Sequence, residues 1–384
     1  MEYQGRTFDF YCVTNTSRND CIPVFAPSMF LLYLAKSGAA LNTTKSYAND
    51  LATLFSVLER SKDTLGSTSD YRYLTENEMS GYLYGYLKQQ RGLSNCSLER
   101  HIVTLSTFYK FSADVGFIET APSFSFTYCE ETAANNTVSA ISEKLHKVYI
   151  DEDRFKSDVL GQINDKNPFI RERNELALKL GYYAGFRTHE LVRANGLDNL
   201  NVDTLRELLP KKKQWTPISI ELQVTGKGRK GRGKKTRTVQ ISVELTDALY
   251  RFLWGRAKHI TTNLMCTNND RPLKDPSFGS SLFSLCRDRL LETDIDEREA
   301  WKIRHYHTLR KCYATNSVTH CVNSGLDPRV FVKQWMGHED YKTTEIYIFY
   351  DAVLHQRPEV IASLSLNSTV YGARYQALQK AKGD

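Results

Sequence analysis

The chain has 384 residues, with 51 Lys+Arg against 44 Asp+Glu and a formal charge of +7, a length that suits two to three domains with real cores. With 41% hydrophobic and 25% charged residues it has globular composition, which excludes a disordered chain. No apolar run is long enough to span a membrane, the N-terminal segment lacks the basic start and apolar core of a secretory signal, and eight scattered cysteines without a C-x-x-C pair read as reduced, mostly buried thiols of an intracellular protein.

Residues 1–24 carry no core pattern and read as an N-terminal arm. Residues 25–120 read as a bundle of about four amphipathic helices. The first lies around Ser28–Lys36. The second is capped by Thr43 or Thr44 and lines up Tyr47, Leu51, Leu54, Phe55 and Leu58 on one face. A capping-box pattern, Thr75-Glu76-Asn77-Glu78, opens the third ahead of Met79, Leu83, Tyr86 and Leu87. The fourth runs from Ser97 with Leu98, Ile102, Leu105 and Tyr109 inward, and Gly116 ends it. Residues 121–142 lack periodicity, are rich in Ser, Thr, Ala and Asn, and read as a linker. Residues 143–384 form a second, mainly helical domain. Its one β-hairpin is read from alternation in Ile218–Val224 and Thr236–Val243 around a loop of Gly, Lys and Arg. The fold class is therefore mainly α with a small β-hairpin, α+β.

Charge divides unevenly between these halves. Residues 1–140 hold eleven Lys/Arg against fourteen Asp/Glu, and the remainder forty against thirty. Much of the excess lies in residues 224–238 (VTGKGRKGRGKKTRT), with seven basic residues and no acidic one, and Lys211-Lys212-Lys213 lies just upstream. A phosphate-binding surface needs such clustering, because each neutralised phosphate releases counterions. The plain alternative is a solvated basic loop.

Three segments of the second domain carry candidate chemistry. In Gly181–Leu191 an apolar helix ends at Gly185 and Arg187 follows at the turn, where a guanidinium can leave the core, or merely cap carbonyls. In His305-Tyr-His307-Thr-Leu-Arg310 the three-residue spacing puts His307 and Arg310 on one helix face, an arrangement suited to acid–base work beside a phosphate or to an ordinary polar face. In Trp335–Tyr347 a Gly-His pair is followed nine residues after His338 by Tyr347, one of twenty-two tyrosines. Cys312, His320 and Cys321 lack the paired spacing of a closed zinc site, so no metal is expected. The glycines around Lys227 lack the full G-x-x-x-x-G-K-[ST] form, so nucleotide hydrolysis is not expected.

Taken in order, an Arg, a Lys in a β-hairpin, His-x-x-Arg, Gly-His and a Tyr nine residues on resemble the tyrosine recombinase (phage integrase/Xer-like) family. The closest stretches are AGFRTHEL at 184–191, HTLRKCYAT at 307–315 and WMGHEDYKTTEIY at 335–347. The likeness extends over roughly residues 25–366, the N-terminal bundle resembling that family's core-binding domain. The resemblance implies a site-specific DNA recombinase, for integration, excision or resolution of a mobile element, phage or replicon. In it Tyr347 attacks the scissile phosphate to form a 3′-phosphotyrosyl link. Arg187 and Arg310 grip the non-bridging oxygens, His307 is general acid/base at the tyrosine, His338 holds the phosphate, Lys227 protonates the leaving 5′-oxygen and Glu190 supports the site. Lys230 rivals Lys227, Tyr341 and Tyr350 rival Tyr347, His305 rivals His307, and Lys311 stands where the family commonly has His.

Further implications concern partners. The two domains would close on double-stranded DNA as a C-shaped clamp, with Lys45, Arg91 and Arg100 of the first domain and Arg229, Lys230, Arg232, Lys234, Lys235 and Arg237 of the second on DNA. Residues Arg357–Leu366 suit a short helix, which in the family docks on a neighbouring subunit to build a tetramer on two DNA sites. Accessory DNA-bending proteins are possible partners, no membrane and no cofactor are expected, and the location is cytoplasmic and nucleoid-associated. The rival functions are strand rejoining of the type IB topoisomerase or telomere-resolvase kind, and a catalytically silent DNA-binding accessory protein.

Overall fold

The computed structural model describes residues 2–3, 6–7, 9–15, 22–65, 70–126, 144–194, 196–229, 233–338 and 341–355. The chain divides into two compact units, the first Met1–Glu131 with Arg229–Gly233 and the second Thr132–Gly228 with Lys234–Asp384.

The first unit opens with two-residue strands, β1 (Glu2–Tyr3) on β2 (Arg6–Thr7) and β3 (Thr14–Asn15) on β4 (Ile22–Pro23), both pairs antiparallel. Val13, in the stretch read as lacking a core pattern, is buried, and its amide and carbonyl are held by Ser28 Oγ at 3.2 Å and the Val24 amide at 2.7 Å. Strands this short display no period for a sequence to reveal. Helix α1 spans Phe25–Lys36 and α2 spans Leu41–Leu65. Thr44 does not cap α2: it lies inside the helix, buried, with its hydroxyl donating to Leu41 O at 2.9 Å. The Ala40 carbonyl already takes the Thr43 and Thr44 amides there.

Helix α3 (Glu76–Ser80) starts on the expected capping box, Thr75 N–H donating to Glu78 Oε2 at 2.8 Å and Glu78 N–H to Thr75 Oγ1 at 3.3 Å, and continues as a π-helix over Gly81–Gln90. Helix α4 (Asn95–Asp114) is capped by Ser94, ahead of the expected start at Ser97. The faces read from periodicity meet in one core: Leu51 and Leu54 of α2, Met79, Leu83 and Leu87, and Leu98, Leu105 and Tyr109 of α4 are all buried. Phe30 and Phe108 pack edge to face at 5.7 Å within it, and Phe124 and Phe126, just past the fourth helix, pack on its rim.

In the second unit Asn167 caps α5 (Pro168–Ala184), with Pro168 at the first helical position, where its missing N–H costs nothing. Short α6 (Thr188–Leu191) and α7 (Val202–Leu208) follow. Strands β5 (Ile220–Arg229) and β6 (Gly233–Ile241) then pair, with Gln223 on Thr238 at 2.7 Å and Thr225 on Thr236 at 3.3 Å across the hairpin. Both strands outrun the expected alternation, so most of the basic stretch 224–238 is strand and not loop. Ile220, Leu222, Val224, Val239 and Ile241 face the core. Helices α8 (Val243–Trp254), α9 (Phe278–Leu291) and α10 (Arg298–Ile303) lead to α11 (Tyr306–Asn323), α12 (Pro328–Met336) and α13 (Lys342–Leu354).

Helices α5 and α11 touch closely, since a Cβ on Gly181 would come 2.8 Å from the Tyr306 hydroxyl. Ile348 and Tyr350 of α13 pack with Val318 and Cys321 of α11 and Val332 and Met336 of α12. These contacts fix the ends of α5, α11, α12 and α13, where the candidate residues sit. Among the described cysteines Cys266, Cys286, Cys312 and Cys321 are buried free thiols and Cys12 is exposed. No described helix is long and apolar enough to cross a membrane. The helix expected within Arg357–Leu366 lies outside the described residues.

Candidate active site

Helix α5 stops at Gly185, whose φ of 62° is open to glycine and strained for other residues. The chain turns outward through buried Phe186 to Arg187, the N-cap of α6. Glu190, one turn on and fully buried, accepts the Arg187 amide on Oε2 at 2.8 Å and its Nη1 on Oε1 at 2.9 Å. The same carboxylate takes both terminal nitrogens of Arg237, at 2.6 and 2.7 Å. Burial alone would raise the Glu190 carboxyl. The hydrogen bonds and charge of Arg237, and then the charge of Arg187, overcome that and hold it at about 2.

Arg310, also buried, projects from α11 and donates to the carbonyls of Gly185 and Met336. Burial and the neighbouring guanidiniums of Arg187 and Arg237 lower it to about 9, still charged at neutral pH. His338 follows Gly337, whose φ of 63° ends α12, and its Nδ1 pairs with Thr344 Oγ1 at 2.9 Å. The His338 ring lies 6.0 Å from that of Tyr347, nearly parallel at 14°. Tyr347 is buried on α13; burial raises its pKa and the charge of Arg310 opposes the rise.

His307, on the first turn of α11, keeps an edge exposed to solvent. Desolvation by the atoms around the rest of the ring, then the charges of Arg310, Lys311, His305 and Arg187, push its imidazole down to about 4. Desolvation and the charges of Arg310, Arg187 and Arg237 do the same to His338, also to about 4. Both are neutral at pH 7. Three guanidiniums surround one carboxylate, so the site carries unbalanced positive charge beside a tyrosine, which is a ready place for a phosphate anion.

The structure brings Arg187, Glu190, His307, Arg310, His338 and Tyr347 together. Of the rival tyrosines, Tyr341 is exposed at the start of α13, while Tyr350 is buried with its hydroxyl 3.3 Å from His146 Nδ1. His305 is exposed as the N-cap of α11, with its ring 6.3 Å from that of His307. The backbone of β5 abuts the pair of Arg187 and Glu190, since a Cβ on Gly226 would come 3.1 Å from Glu190 Oε1. Lys227 is the next residue along the strand; its side chain and those of Arg229, Lys230, Arg232 and Lys234 lie outside the described ones.

Among the residues expected on DNA, Arg237 is corrected: its side chain is 6% exposed and is spent on Glu190. Strand parity held that information, because Arg237 shares the inward face with Val239 and Ile241, and charge counting ignored it. Arg100 donates to buried Asp50 at 2.8 Å while remaining half exposed. Lys45 and Arg91 are exposed, and Lys235 is half-buried. The orienting role of Thr344 and the carbonyls of Gly185, Trp335 and Met336 had no signal in the sequence.

The Phage integrase family model matches residues 154–352. The Tyrosine recombinase XerC of Pseudomonas syringae pv. syringae is 27% identical over 313 residues, covering 81% of this chain and 86% of that one. The Tyrosine recombinase XerD of Oceanobacillus iheyensis is 26% identical over 318 residues, covering 81% and 88%. The structure of the XerH site-specific recombinase bound to its difH substrate superposes with a TM-score of 0.53 at 15% identity, over 86% of this chain and 82% of that one, a likeness of fold. With its family model spanning more than half its length and its arginines, histidines and tyrosine gathered in one site, the chain belongs to the phage integrase family of tyrosine recombinases.

Proposed function

We propose that this protein is a site-specific DNA recombinase that cuts and rejoins DNA through a covalent bond between Tyr347 and a 3′-phosphate. The observation that carries this reading is Tyr347 stacked on His338 within the charge of Arg310, in a site where three guanidiniums face one carboxylate. A binding module has no use for that tyrosine.

The Tyr347 hydroxyl attacks the scissile phosphorus and the bond to the 5′-oxygen breaks, so the phosphodiester energy is kept in the new ester and no external cofactor is consumed. Arg187 and Arg310 hold the non-bridging oxygens, where charge concentrates in the transition state. His307, neutral at pH 7, takes the tyrosine proton; the bound anion offsets the surrounding cations and restores the basicity they remove. Thr344 fixes the ring of His338, which donates to the phosphate. Lys227 gives its proton to the leaving 5′-oxygen. The reverse sequence, with a 5′-hydroxyl of another strand as nucleophile, rejoins the DNA.

In this reading the first unit supplies a core-binding domain over residues 25–120, followed by a linker at 121–142 and a catalytic domain at 143–384. Double-stranded DNA is the partner, bound by a tetramer on two sites whose subunits are bridged by the tail after Tyr347, in the cytoplasm and on the nucleoid. The XerH recombinase, whose fold this chain shares, is bound to its difH substrate in its own structure, and the second-domain excess of positive charge in this chain suits a polyanionic substrate of that kind.

Covalent trapping tests the proposal. The protein is incubated with nicked duplexes spanning the ends of the genetic element that encodes it and run on a denaturing gel. A slow-migrating adduct is expected with wild type, Tyr341→Phe and Tyr350→Phe, and none with Tyr347→Phe. An adduct that survives Tyr347→Phe refutes the assignment.

A further inference from the structure

Arg237 sits on β6 with its side chain sequestered from solvent, and every described polar contact it makes is with another part of the site. Its terminal nitrogens bind both oxygens of Glu190, at 2.6 and 2.7 Å, and one of them also reaches the Gly185 carbonyl at 3.4 Å. Its Nε donates to the Trp335 carbonyl at 3.0 Å. Its aliphatic stem lies against the turn before His338, where a Cβ on Gly337 would come 3.0 Å from Arg237 Cδ. One planar fork thus joins the turn that carries Arg187, the carboxylate that orients Arg187, and the turn that carries His338. Arg310 brackets the same two turns through Gly185 and Met336. A lysine has no such fork and could satisfy only part of this set.

Resting on the recombinase reading above, we propose that Arg237 is a positioning residue for DNA cleavage, through which the β5–β6 hairpin holds Arg187 and His338 aligned for the attack of Tyr347. It does not touch the phosphate. Because β6 pairs with β5, and β5 carries Gly226 against Glu190 with Lys227 next in line, the same hairpin meets the site on both of its strands. Without Arg237, Glu190 lacks the partner that fixes both its oxygens.

The test measures single-turnover adduct formation on the nicked duplex over a range of DNA concentrations. It uses full-length wild type, Arg237→Lys, Arg237→Met and Arg237→Ala, with thermal midpoints alongside. Misalignment on the scale of an ångström costs roughly 100-fold, so the rate at saturating DNA is expected to fall about that much in all three variants. The half-saturating DNA concentration is expected to stay near that of wild type, as for the loss of an interaction that acts in the transition state. Millimolar guanidinium is expected to restore part of the rate of Arg237→Ala and none of that of Tyr347→Phe.

A wild-type rate for Arg237→Lys or Arg237→Met overturns the proposal. So does a loss confined to half-saturation, which makes Arg237 a DNA contact. A loss that tracks the thermal midpoint across the variants and resists guanidinium also overturns it, leaving a purely structural role. Absence of adduct with wild type itself refutes the nucleophile reading, and this inference with it; a wild-type adduct beside unimpaired variants refutes this inference alone.

Discussion

His307 and His338 lie among cations, and both imidazoles are pushed from 6.5 to about 4, by desolvation first and then by Arg310 and its neighbours. A folded-state pKa below the unfolded one means that the unfolded chain binds more protons between these values, so stability falls as pH falls through that window. The DNA-free protein is therefore expected to melt lower at pH 5 than at pH 7.5, and the double variant His307→Gln/His338→Gln to lose much of that difference. An unchanged difference would place its origin elsewhere. Glu190 presents the opposite charge problem. It is fully buried between two arginines, and truncation strands their charges. Glu190→Ala is expected to cost roughly 3–5 kcal/mol in urea unfolding, because an uncompensated buried charge remains. The spacing of His307 to Arg310 was legible, since one helix sets it, whereas His338 and Tyr347 were joined only by the resemblance to the family. Arg237 was not, because its partner Glu190 is 47 residues away and its charge hid it in a basic run.

A helix start is legible where a capping box marks it, because the box needs only residues three apart. Thr75→Ala removes the hydroxyl that takes the Glu78 amide and is expected to cost about 1 kcal/mol in unfolding of the protein, with the adduct unaffected. The start of α2 escaped the same logic: Thr44 is of capping type, yet the backbone of Ala40 did the work and left its hydroxyl to the helix interior. The hairpin ends escaped as well, since glycines and charges in 226–235 masked strands that reach Arg229 on one side and begin at Gly233 on the other. Where an element ends matters most at Gly185. A Cβ there would enter the ring of Tyr313, and the positive φ adds strain. Gly185→Ala is expected to destabilise by roughly 2–5 kcal/mol, from backbone strain together with overpacking. It should also lower the cleavage rate of the folded fraction, because it moves the carbonyl that Arg237 and Arg310 both hold.

At the scale of the whole chain, charge is the property that sequence alone carries furthest, and it is also where reading by count alone breaks down. The acidic excess of residues 1–140 and the basic excess of the remainder predict that the second part dominates the electrostatics of DNA binding. Within the basic run, however, the residues divide by strand face. Arg237 faces inward and is neutralised by Glu190, so it has no counterion to release from DNA. Lys227 is assigned to the leaving oxygen and Lys235 is half-buried, which leaves Arg229, Lys230, Arg232 and Lys234 to meet phosphates in the proposed complex. Replacing all four by Ala should flatten the plot of log affinity against log salt. Each lost phosphate contact is worth about 0.9 in slope, so the change should lie between about 1 and 3.6. Arg237→Met in the same titration should leave the slope of wild type. Fluorescence anisotropy on a duplex of fixed length over a series of salt concentrations measures both. Equal slopes for wild type and the fourfold variant would mean that the tip is solvated and that the excess charge acts from elsewhere, with Lys211, Lys212 and Lys213 the next group to remove.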